Sequence, residues 1–226
     1  MRHRNTGGVR TKAAAITIAR LRKRGHVAAR YDSAMSQIGR FAECTVARFL
    51  DDLGSDAPCP GGGAAAALAG ALAASLGKMV CALTVGKPRY ADVEAEVREL
   101  HSRFGRADRL LRGLMDEDAS AYGELSAAFK LEKSNPDRPV RVSSAAEIAC
   151  MVPIETASFC RSTLVDLARL AQIGNKNLAA DIESAIALAK AGKAAALANA
   201  RANLPLIRSD RGPSLAGQVS ALASDG

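Results

Sequence analysis

Residues 58–85 read PCPGGGAAAALAGALAASLGKMVCALTV. Two prolines and three glycines interrupt any regular element, so the stretch opens on a shaped loop. The uncharged run over residues 57–77 is long enough to cross a membrane, but it is Ala and Gly with only three Leu. A span needs about 20 predominantly apolar residues. Ala is the best helix former and has a small side chain. The run therefore predicts a tightly packed, buried helix over residues 64–85, ended by Gly86-Lys87-Pro88.

The rest of the chain reads the same way. Alanine is about a fifth of the 226 residues, aromatics are 4% and Trp is absent. Sparse strand formers argue against a sandwich or barrel. Phe41, Thr45, Phe49 and Leu53 recur at four and predict a short first helix. A long helix is expected over residues 91–131, with Leu100, Phe104, Leu111, Leu114 and Met115 on its core face and a break near Gly105 or Gly113. Residues 132–140, with Pro136 and Pro139, read as a loop. Ser144 and Glu147 have the spacing of a capping box, which would open a helix running to about residue 173. Pro153 lies inside it and removes a backbone donor, so a kink is expected there. Gly174-Asn175-Lys176-Asn177 is the next break, and Leu178, Ile182, Ala185, Ile186 and Ala189 predict another helix, interrupted near Gly192. No segment reads as a strand. The expected fold is all-α, an antiparallel bundle of about five or six mostly long helices. The domain is expected over residues 35–208, with a flexible tail at 209–226.

The formal net charge is +8, but it is not spread evenly. Residues 1–40 hold ten Lys and Arg against the single acid Asp32, and the remainder is nearly neutral. A nucleic-acid-binding fold carries its basic patch within the folded domain, so no nucleic-acid partner is expected for the bundle. Residues 1–34 read as a targeting leader, a disordered basic arm or sequence upstream of a start at Met35, the last being favoured. No strong apolar region precedes a small-residue cleavage site, which argues against a secretory signal. Five Cys without a C-x-x-C pattern, mostly in apolar stretches, read as reduced thiols of a cytoplasmic protein. His3, His26 and His101 form no metal-ligand spacing, so no metal is expected.

Four constellations could carry chemistry. Gly61-Gly62-Gly63 directly before a helix leaves backbone N–H groups free for an acceptor, or simply allows close packing. Asp116-Glu117-Asp118 sits in an apolar-periodic helix, with Tyr122 one turn beyond Asp118 on the same face. Asp116 lies about 200° around that helix from Asp118. A partly buried carboxylate here is a candidate general base, because desolvation raises its pKa, while a solvated face is the bland reading. Asn175 and Asn177 are helix caps or amides offered to a heterocycle. Lys87 and Arg89, at a turn beside Tyr90, complement a helix C-terminus or meet a ligand carboxylate.

The order of these elements resembles the cyclodeaminase/cyclohydrolase family of folate enzymes. It is carried by Pro58-Cys-Pro-Gly-Gly-Gly-Ala64, Leu83-Thr-Val-Gly-Lys-Pro-Arg-Tyr90, Asp116-Glu-Asp-Ala-Ser-Ala-Tyr122, Pro153-Ile-Glu155, Gly174-Asn-Lys-Asn177 and Asp181. The resemblance spans residues 36–208. It implies a helical homodimer that uses a tetrahydrofolate derivative with no cofactor beyond that substrate. It also implies that Gly61, Gly62, Gly63, Lys87, Tyr90, Asp116, Asp118, Asn175, Asn177 and Asp181 line or support the folate site. Members usually carry Ser where this chain has Ala64 and Ala180.

The implied reaction is hydrolysis of 5,10-methenyltetrahydrofolate to the 10-formyl compound. Asp118 is the expected base, with Asp116 its electrostatic or structural partner. Lys87 or Arg89 would meet the glutamate tail, and Asn175 and Asn177 would read the pterin or position water. The alternatives are a formimidoyltetrahydrofolate cyclodeaminase releasing ammonia, and an inactive interaction protein of the same fold.

Overall fold

The computed structural model describes residues 41–224. The leader, Met35 and Ser36 lie outside the described residues. Among the described residues there are six α-helices and no strand. They are α1 (Val46–Leu53), α2 (Gly62–Ala82), α3 (Glu94–Phe129), α4 (Arg138–Ile173), α5 (Ala179–Asn203) and α6 (Arg211–Ser224).

Helix α2 is the stretch of small residues, and it packs chiefly against α3 and α5. Its glycines show why the residues are small. A Cβ on Gly70 would meet the Cys160 thiol and Leu111, and one on Gly77 would strike the Phe104 ring. Gly192 of α5 sits against the backbone of Ala66 and Gly70. These helices approach closely because no side chain separates them, which suits a core of interlocking Ala, Leu and Phe. Phe104 is fully buried, and a buried Phe is worth roughly 2–3 kcal/mol of transfer free energy.

Phe41, expected on the first helix, instead lies in a short 3-10 turn, Phe41–Glu43. Thr45 caps α1, its Oγ1 accepting from Arg48 N at 3.1 Å. The four-residue spacing still brings Phe41 and Phe49 together edge to face, with ring centroids 5.9 Å apart.

Helix α3 runs unbroken through Gly105 and Gly113. Two glycines cost about 2 kcal/mol of helix propensity together, and the buried row Leu100, Phe104, Leu111, Leu114 and Met115 outweighs that. Helix α5 likewise continues through Gly192.

The expected capping box at Ser144 is a misreading. Helix α4 begins six residues earlier, with Asp137 at its N-cap and Pro139 in the first turn. Glu147 is engaged elsewhere, accepting from the Ser209 hydroxyl at 2.6 Å and from Arg211 at 3.3 Å. Those contacts anchor α6, which occupies the segment read as a flexible tail. Leu215, Val219 and Leu222 of α6 are buried against α4 and α5. Helices α2 and α4 are both long and apolar enough to cross a membrane by length and composition, and about half of each is covered within the bundle.

Candidate active site

The expected site residues fall into two groups, at the two ends of α2. The 21 residues of that helix separate them by about 30 Å.

At its N-terminus, the first turn of α2 carries N–H groups with no helical acceptor. Asp118 reaches this turn from α3, and its Oδ2 accepts from Ala64 N at 3.0 Å. A Cβ on Gly63 would overlap the Asp118 carboxylate, so this glycine is the seat of that side chain. Burial pushes the Asp118 carboxyl up to about 6, opposed by the hydrogen bond from Ala64 N–H. Ala64 therefore serves through its backbone, and its side chain is fully buried. Cys59 lies alongside, its thiol donating to Ala119 O at 3.7 Å. Burial first, and the Asp118 charge second, raise its pKa, so Cys59 is no ready nucleophile.

Asp116 turns to a different task. Its Oδ1 accepts from Phe41 N at 2.9 Å and holds the chain ahead of α1. Tyr122 is exposed one turn beyond Asp118. Sequence reasoning missed Asn199 on α5. A Cβ on Gly62 would lie 3.2 Å from its Nδ2 and 3.5 Å from its Oδ1. The only signal was polar: Asn199 and Asn203 interrupt an Ala-rich helix where Asn is a poor helix former.

At the C-terminus of α2, Asn175 is the organiser. It is buried. Its N–H donates to Thr84 Oγ1 at 3.0 Å, its Nδ2 to Leu83 O at 3.1 Å, and its Oδ1 accepts from Asn177 N at 3.2 Å. The Tyr90 hydroxyl accepts from Lys176 N at 3.2 Å and reaches Asn175 Oδ1 at 3.5 Å. The Asn175 amide is thus spent on tying the turn before α5 to the end of α2. Lys87, Arg89 and Asn177 are exposed around it, and Asp181 lies in the first turn of α5. The Arg89 guanidinium stands 5.8 Å from the centre of the Tyr90 ring.

One end of the bundle therefore presents a partly buried carboxyl of raised pKa and the other a basic, hydrogen-bonded surface. The family model for formiminotransferase-cyclodeaminase matches residues 45–213, which takes in both ends. The chain belongs to that family. It is similar to a methenyltetrahydrofolate cyclohydrolase of Methylorubrum extorquens, 37% identical over 164 residues, covering 70% of this chain and 78% of that one. It is also similar to the formimidoyltransferase-cyclodeaminase of Rattus norvegicus, 30% identical over 166 residues, which are 72% of this chain but 31% of that longer protein. The crystal structure of formiminotetrahydrofolate cyclodeaminase from Thermotoga maritima superimposes with a TM-score of 0.75 at 27% identity, covering 81% of this chain and 90% of that one. A family fold of helices alone, with no strand among the described residues, thus agrees with the bundle read from the alanine-rich sequence.

Proposed function

We propose that this family member is a hydrolase that opens 5,10-methenyltetrahydrofolate to 10-formyltetrahydrofolate. One observation carries the reading: the Asp118 carboxyl, raised to about 6, held against the first turn of α2. The similarity to the Methylorubrum cyclohydrolase supports it.

The methenyl bridge is a cationic carbon between two nitrogens. Water bonds to that carbon and loses one proton to Asp118, giving a neutral tetrahedral intermediate. The intermediate collapses to the formyl group, releasing its hydroxyl proton to solvent. The bond to N5 breaks, and N5 takes the proton back from Asp118. A base with a pKa near neutrality is suited to both transfers. The carboxylate also attracts the cationic bridge, more strongly in a sheltered site than in water. The reaction draws on no cofactor beyond the folate substrate.

The protein works as a homodimer in this reading. Lys87 and Tyr90 lie too far from Asp118 to meet one substrate within a single copy. Helix α2 leaves Leu72 and Met79 exposed, seven residues apart on one side, with exposed Leu83 just past its end, a face that calls for a partner. Two-fold pairing along α2 would bring the basic end of one copy to the acidic end of the other. Free cysteines at residues 44, 59, 81, 150 and 160 support a cytoplasmic setting.

The test is the loss of methenyltetrahydrofolate absorbance on adding the purified chain, with light scattering for the dimer. No acceleration over the buffer rate overturns the hydrolase reading. The fold similarity to the Thermotoga cyclodeaminase favours one second reading, and ammonia release from 5-formimidoyltetrahydrofolate tests it. Failure of both assays would favour an interaction protein.

A further inference from the structure

The four glycines that α2 places against neighbouring side chains divide into two kinds. Gly70 and Gly77 make room for a thiol, a leucine and a phenyl ring. Gly62 and Gly63 make room for a carboxamide and a carboxylate. Asn199 comes from α5 and Asp118 from α3, so two polar groups from opposite neighbours meet adjoining residues of one helical turn. Packing alone explains Gly70 and Gly77. It does not explain why both positions next to the free N–H groups of α2 are kept open for polar groups.

The orientation of the Asn199 amide is fixed. Its Nδ2 donates to Ala195 O, one turn back on α5, at 2.9 Å. The acceptor end, Oδ1, is therefore turned away from its own helix, and it has no hydrogen-bond donor among the described residues. An amide oxygen 3.5 Å from a Gly62 Cβ position and a carboxylate seated on Gly63 face adjoining residues of one helical turn, an arrangement for holding something with two hydrogens to give. The attacking water has two. A base removes one, and an uncontrolled second hydrogen leaves the oxygen lone pair free to point anywhere. An acceptor for that second hydrogen aims the lone pair.

We propose that Asn199 is a water-binding residue of this site: its Oδ1 accepts one hydrogen of the attacking water while Asp118 removes the other. The inference rests on the hydrolase reading above and adds a second residue to it. The same amide oxygen places a negative dipole end near the cationic bridge, a preorganised acceptor that needs no proton of its own.

The test compares wild-type protein with Asn199→Ala and Asn199→Asp. Asn199→Ala breaks only a bond within its own helix and substitutes a better helix former, so the melting temperature stays level or rises. kcat falls about ten- to hundredfold, and KM changes less than about threefold, since the lost contact is to water and not to folate. Asn199→Asp puts a second carboxylate on the same turn of α2 as the base and moves the acid limb of the pH–rate profile upward. A wild-type kcat in Asn199→Ala, a loss confined to KM, or an unmoved pH profile in Asn199→Asp overturns the inference. A wild-type protein without turnover overturns the hydrolase reading itself, and this role for Asn199 with it.

Discussion

Asn203 completes what Pro153 leaves undone. A proline inside a helix has no N–H for the carbonyl four residues back, which here is Ala149 O. The Asn203 side-chain amide, at the end of α5, donates to that oxygen at 2.8 Å. Helix α4 accordingly runs through Pro153 as one element, and the gap in its ladder becomes an attachment point for α5.

This pairing predicts a coupled response. Asn203→Ala leaves the buried Ala149 carbonyl without its donor and should cost about 1–3 kcal/mol. In a Pro153→Ala background the helix supplies its own N–H, and the same substitution should cost less than about half as much. Urea unfolding of the four proteins measures the coupling. Additive losses would show that the contact does not make up for the N–H missing at Pro153.

Gly63 makes a sharper prediction. Its Cβ would occupy the space of the Asp118 carboxylate, so Gly63→Ala should reduce turnover about a hundredfold or more. Gly62→Ala brings a Cβ to 3.2 Å from the Asn199 amide and should cost less. Steady-state kinetics ranks the two variants, and an equal or reversed order would count against the assignment of Asp118.

The pH dependence follows from the raised carboxyl. Turnover needs the ionised form, so kcat/KM should climb with pH and level off above about 6. The cationic substrate favours the ionised form, so the corresponding limb of kcat should lie lower. For stability the sign reverses. A carboxyl whose folded pKa is raised stabilises the protein at acid pH, and that stabilisation is lost as pH rises through about 6. Asp118→Asn cannot titrate. It should lose nearly all turnover yet match or exceed wild-type melting at pH 8, and a folded variant with near-normal turnover would exclude Asp118 as the base.

The basic end of α2 should behave differently. Asn175→Ala removes the bond to Leu83 O and the acceptor for Asn177 N, costing about 1–3 kcal/mol. Activity and melting temperature should fall together. Lost activity at unchanged stability would mean that the Asn175 amide reads the substrate directly.

Much of this was legible in the sequence, for physical reasons. The Ala-Gly run of α2 and the three-and-four spacing in α3 fix those helices whatever their surroundings. Ser144 and Glu147 misled because a capping pattern is local, while Glu147 is claimed by Ser209 and Arg211 more than sixty residues away. Leu215, Val219 and Leu222 carried a helical period too, but in a terminal stretch short enough to be read as fraying. That one acid of residues 116–118 would be partly buried was legible from the core residues around it, and the choice of Asp118 came from the family resemblance. Asn199 was not, because its significance lies in its approach to Gly62, and no spacing along the chain encodes that approach.

The seat at Gly63 also ties the fates of two codons. While position 118 holds its carboxylate, position 63 has no freedom, and the helix forgoes the propensity that an alanine would add. Were the carboxylate lost in some descendant, that restraint would lift and mutation would drift toward the better helix former. A paralogue with alanine at 63 and no acid at 118 would then be a bundle that had retired from chemistry, recognisable from its gene alone.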